Sequence, residues 1–146
     1  MTALTLEQAS LIIDGALKYA RENGLKPLAV AVLDARGAQK FFLAQDGTSL
    51  KRGEIALGKA NGAIALGVGP RTLNKMALER PHFINGVALS VGGPVVPVPG
   101  GALIRDAEGN LIGVVGISGD TSDKDEACAI AGIAAAGLKA DPGQDG

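Results

Sequence analysis

The chain has 146 residues, 47% of them hydrophobic and 3% aromatic, with a formal net charge of −1 at pH 7. That length suits one domain with its own core, and that composition excludes a disordered chain. The near-neutral charge leaves no electrostatic footprint for nucleic acid or an anionic membrane surface.

The single cysteine excludes an internal disulfide and fits a reducing compartment. The opening stretch MTALTLEQAS has neither the basic nor the apolar region of a signal peptide, so a cytoplasmic location is expected. No run of about 18 apolar residues is present to span a membrane.

Thr5-Leu6-Glu7-Gln8 has the form of a capping box. Ala9, Ile12, Ile13, Ala16, Leu17 and Ala20 then recur at helical spacing, and Asn23-Gly24 ends the helix. The apolar run Leu28–Leu33 reads as a strand covered on both faces. The turn Asp34-Ala35-Arg36-Gly37 returns the chain into a second strand, Gln39–Ala44. A second helix spans about Leu50 to Leu66. It contains Gly53, Gly58 and Gly62, which cost about 1 kcal/mol each in propensity, so something must pack tightly against it.

Beyond Pro70 the pattern weakens. Arg71–Glu79 suits a short helix, 81–86 reads as irregular and Val87–Val91 as a short strand. Ala102–Arg105 and Leu111–Ser118, joined by Asp106-Ala107-Glu108-Gly109, form a second hairpin. A last helix runs from Ser122 or Asp123 to about Leu138, and the polar residues 141–146 read as a flexible tail. The order is helix, hairpin, helix, irregular middle, hairpin, helix: an α+β layer architecture in one domain over residues 1–140.

Residues 92–101, GGPVVPVPGG, have no parallel elsewhere in the chain. Proline fixes φ and glycine opens it, so the segment suits either the wall of a site or a tightly packed approach to a strand.

The blocks LAVAVLDARGAQKFFLAQDG, IALGKANGAIALG, VVPVPGGALIRDAEGNLIGVVGISG and DTSDKDEACAIAGIAA together resemble the GlcG/HbpS family, which includes the C-terminal domain of PduO-type proteins. The likeness runs from about Leu4 to Leu138. It implies a profilin-like α+β fold, a central antiparallel sheet of about five strands with helices packed on it. It also implies a homo-oligomer built from dimers, octamers included, and haem handling in some relatives. Others belong to catabolic operons. The first-helix histidine through which some relatives hold haem has no counterpart here.

Haem iron takes His, Met, Cys or Tyr as axial donor. His82 is the only histidine, Tyr19 the only tyrosine and Cys128 the only cysteine. Met76 lies in the short middle helix. His82 is the metal-ligand candidate if haem binds, and otherwise a catalytic candidate or a solvated loop residue. One His and one Cys do not make a zinc site. Neither a phosphate-binding GxxxxGK[ST] loop nor a GxSxG elbow occurs.

Asp120, Asp123, Asp125 and Glu126 suit the N-terminal dipole of the last helix, with Glu126 kept as a catalytic candidate. Lys59, among small residues, either snorkels to solvent or presents its ammonium to an anion. Pro99, Gly100 and Gly101 would line that ligand site with free amides, and Arg71 or Arg105 would clamp a carboxylate.

Three functions compete: an oligomeric binding protein for haem or an organic-acid metabolite, an enzyme acting on a hydroxy or keto acid through His82, Lys59 and Glu126, and an accessory subunit without a ligand.

Overall fold

The computed structural model describes residues 3–145. Helix α1 (Leu6–Glu22) begins at the expected capping box. The Thr5 hydroxyl accepts from the Gln8 N–H, and the Gln8 side chain accepts from the Thr5 N–H. Strands β1 (Ala29–Asp34) and β2 (Gln39–Ala44) follow as the first hairpin, then α2 (Arg52–Leu66), closed by Gly67 at φ 69°. Helices α3 (Pro70–Glu79) and α4 (Pro81–Ser90) precede the second hairpin, β3 (Gly101–Arg105) and β4 (Leu111–Ser118). Helix α5 (Ser122–Ala135) and strand β5 (Lys139–Asp141) complete the domain. The five strands form one antiparallel sheet in the order β2-β1-β4-β3-β5.

Strand β1 is covered on both sides, as its unbroken apolar run requires. Val30 and Val32 enter the core shared with Ile12, Ile13, Cys128 and Ile133 of α1 and α5. Ala29 and Ala31 meet Ala56, and Leu33 meets Ala60 and Ala63, all of α2. Small residues set the spacing of the layers. A Cβ on Gly132 of α5 would lie 2.5 Å from the Ile12 carbonyl of α1, and one on Gly116 of β4 would run into the Ala56 carbonyl of α2.

The glycines of α2 are notches for the segment 92–101. A Cβ on Gly58 would lie 2.6 Å from Val96, and one on Gly62 would lie 2.9 Å from Val95. The Val96 N–H donates to the Gly58 carbonyl at 3.1 Å, and the Asn61 amide donates to the carbonyls of Gly92 and Pro94 at 3.0 Å each. The low propensity of the helix is thus offset by a stiff valine-bearing strap pressed into it.

Two expectations are corrected. Residues 81–90 form α4 rather than an irregular stretch and a strand: Pro81 occupies its first turn, where the missing N–H costs nothing. The segment 141–146, read as a flexible tail, follows directly on β5 and is docked as far as Gln144, while Gly146 lies outside the described residues. Ile104 pairs with Ala140, the Arg71 N–H donates to the Pro142 carbonyl, and the Gln144 N–H donates to the Thr72 hydroxyl. The last helix accordingly stops at Ala135, before Gly137 at φ 75°.

Candidate functional site

The sheet end formed by Gly101, Gly116 and Ser118 carries most of the buried polar chemistry. Lys59 of α2 and Asp125 of α5, from opposite faces of the sheet, meet at 3.3 Å with side-chain exposures of 4% and 1%. The ammonium also donates to the Ile117 carbonyl at 2.8 Å, and the second Asp125 oxygen accepts from the Asp120 N–H at 3.0 Å. Burial pushes the lysine below its ordinary range and the carboxyl above its own, each partner opposing the other's shift. Gly100, at φ 132°, lies directly on this pair: a Cβ there would strike the Lys59 ammonium.

The structure therefore brings Lys59 and the Pro99-Gly100-Gly101 segment together, but under cover. All four residues are buried, and the ammonium that was to face solvent or a ligand faces Asp125. Asp125, grouped with the dipole-neutralising acids, is an ion-pair partner across 66 residues of sequence. Lysine among alanines and glycines in the middle of α2 was the available signal.

Beside the pair lies Arg52, in the first turn of α2. Its Nε donates to the Ser49 hydroxyl and its Nη1 to the buried Ser118 hydroxyl, both at 3.2 Å. It makes no ion pair among the described residues. Arg52 lines a cavity of about 200 Å³ with Lys26, Pro27, Thr48, Ser49 and Gly119. Nothing in sequence order marked Arg52, because its partners come from three separate segments. On the other side of Pro27 a larger open groove, about 540 Å³, has Leu17, Leu25 and Leu43 as its apolar walls and ends at Gln45 and Asp46.

The remaining candidates lie apart from one another. His82 is exposed on α4, which packs on α3, and it makes no hydrogen bond to Lys59 or Glu126. Glu126 takes the Arg71 guanidinium at 2.9 and 3.2 Å, with Asp123 and Asp145 on the same arginine. Arg105 sits at the far end of β3 from Gly101, bonded to Asp141 and the Gly109 carbonyl. Arg71 and Arg105 are thus both committed to carboxylates of the chain. Among the described residues no hydrogen bond joins His82, Lys59 and Glu126 to one another.

Among possible axial donors, Cys128 is buried, donates to the Ala16 carbonyl at 3.0 Å and has its thiol pushed up to about 12 by burial. Tyr19 and Met76 are half-buried. His82 is the accessible nitrogen donor. Its helix is unusual: from Pro81 to Ile104 the chain has no Asp, Glu, Lys or Arg, and of α4 only Ile84 is buried. Leu89 is 89% exposed, and Leu78 of α3 is 77% exposed. His82, Gly86 and Leu89 recur at i, i+4 and i+7, which places them on one helix face, and nothing lies within 4 Å of where a Gly86 side chain would begin.

A family model described as haem degrading protein HbpS-like matches residues 4–134. Among solved structures, PduOC in complex with heme superposes with a TM-score of 0.81 at 26% identity, covering 98% of this chain and 100% of PduOC. HbpS superposes with a TM-score of 0.78 at 29% identity, over 92% of this chain and 90% of its own. The DUF336 protein ORFY of Klebsiella pneumoniae shares the fold, with a TM-score of 0.76 at 23% identity, over 94% and 93%. No curated protein matches by sequence.

Proposed function

The chain belongs to the HbpS-like family of haem-degrading proteins, and from that membership we propose that it is a haem-binding protein working as a homo-oligomer, with His82 as the axial donor. The observation that carries this reading is the exposed, uncharged α4, which presents one imidazole on an apolar face beside the side-chain-free Gly86. A porphyrin is an apolar plate that needs one accessible donor and a flat, uncharged bed, and its carboxylates need cations at the rim. Arg80, stacked 4.3 Å over Phe83 at the start of the helix, supplies such a cation.

Helix α4, with Leu78 of α3 and Val91, leaves apolar surface in water that a second copy would cover. Haem between two such faces would be shielded in a way one chain does not provide. Bound haem would supply the iron and its redox chemistry; the chain supplies the imidazole, the apolar bed and the exclusion of water.

Titration of purified protein with hemin, followed by absorbance, tests the proposal on wild type and His82→Ala. The expected result is a saturable Soret shift that His82→Ala abolishes. A saturable shift unchanged in the variant overturns His82 as donor, and a featureless titration overturns haem as ligand.

A further inference from the structure

We propose that the cavity around Arg52 is a binding site for a small carboxylate, separate from α4 and independent of haem. The guanidinium has five N–H donors. One on Nε is taken by the Ser49 hydroxyl and one on Nη1 by the Ser118 hydroxyl. Three remain on Nη1 and Nη2, the end-on fork that takes a carboxylate with two parallel bonds. The two hydroxyl contacts, one from the residues just before α2 and one from the end of β4, fix the arginine before any ligand arrives. Ser118 is fully buried in β4, so that anchor does not move.

The charge around the cavity is unbalanced in the direction a carboxylate needs. Asp125 is spent on Lys59 and the Asp120 N–H. Asp120 is spent on the N–H groups of Lys26 and Thr121, at 2.9 and 2.8 Å, with the Lys124 ammonium at 3.8 Å. Arg52 and the Lys26 ammonium are left without a carboxylate among the described residues. Every other arginine that is fixed by two or more side-chain or backbone acceptors holds a carboxylate: Arg71 has three and Arg105 has Asp141. Arg52 is oriented like them and lacks one.

The cavity, about 200 Å³, has room for a small carboxylic acid. Thr48 and Ser49 on the wall give such an acid hydroxyl partners next to its carboxylate. Its carboxylate is met by Arg52, and Pro27 gives the short carbon body an apolar wall.

The test is an NMR titration of ¹⁵N-labelled protein with lactate, using lactamide as the uncharged control. The expected result is saturable shifts confined to the amides of Gly47, Thr48, Ser49 and Gly119, absent with lactamide. Arg52→Gln should weaken binding at least tenfold, and Arg52→Lys, which keeps the charge and loses the fork, several-fold. Unperturbed spectra of both variants away from the cavity establish that they fold. Non-saturating shifts, or binding unchanged in Arg52→Gln, overturn the site. Inorganic phosphate binding as tightly as lactate overturns the carboxylate class. None of these outcomes depends on hemin.

Discussion

The Lys59 ammonium and the Asp125 carboxylate form an ion pair at 3.3 Å, sealed beneath the Gly100 backbone and joining the two helical layers through the end of the sheet. Removing one partner leaves the other charged or forced neutral in a dry site. Asp125→Ala or Lys59→Ala should therefore cost about 3–5 kcal/mol, read as a lower urea midpoint. The double replacement Lys59→Met with Asp125→Leu should recover most of that loss. It should not recover all of it, because the Asp120 N–H loses its acceptor.

Gly116 lies where α2 touches the sheet most closely, with the Ala56 carbonyl and the Ala60 N–H over its Cα. Backbone cannot swing aside as a side-chain tip can. Gly116→Ala should cost about 3 kcal/mol, at the upper end of ordinary overpacking, whereas Gly109→Ala, at an exposed turn with open space around it, should lose only its φ preference. Thermal melts of the two variants side by side separate crowding from backbone conformation.

Asp120 is held below its ordinary 3.8 by the Lys26 N–H first and the Thr121 N–H second. Its folded pKa lies below its unfolded one, so the folded state binds fewer protons across that interval. The stability it contributes is present in full above about pH 4 and is lost as the pH falls through the depressed folded value. Asp120→Asn should flatten this part of the acid limb in a series of urea melts between pH 2 and pH 6. A limb of unchanged slope would place the acid sensitivity elsewhere.

Leu89 is 89% exposed on α4, so replacing it should leave the fold of one chain intact. Leu89→Lys should preserve the melting temperature of the isolated chain within a few degrees, since exposed changes fall within about 0.5 kcal/mol. It should lower the mass of the assembly in sedimentation equilibrium. An unchanged mass would remove α4 from the contact between copies.

The local chemistry of the chain was enough to read the elements with strong signals. The capping box of α1, the continuous apolar run of β1 and the two hairpin turns each carry their structure within a few residues, and all appear as expected. The α+β class followed from the order of those elements. The glycines of α2 signalled a close neighbour, and the strap Val95-Val96 is that neighbour. Helix α4 was not legible, because its uncharged sequence lacks helical alternation, and only Pro81 at its first turn marks where it begins.

The candidate residues were legible one at a time and their grouping was not. Lys59 was singled out because a lysine among small residues either snorkels to solvent or meets an anion. Its partner, 66 positions away and on the other helical layer, is set by how α2 and α5 close on the end of the sheet. Arg52 became visible only once Ser49, Ser118 and Gly119 stood around it. Sequence by itself determined the helices and strands with strong local signals, α4 and β5 not among them, and which residue types are available for chemistry, since those depend on short-range sterics and hydrogen bonding. Tertiary structure alone decided which charges are neutralised within the chain and which stay open to a ligand, because a side chain's electrostatic surroundings are set by contacts whose distance in sequence carries no signal.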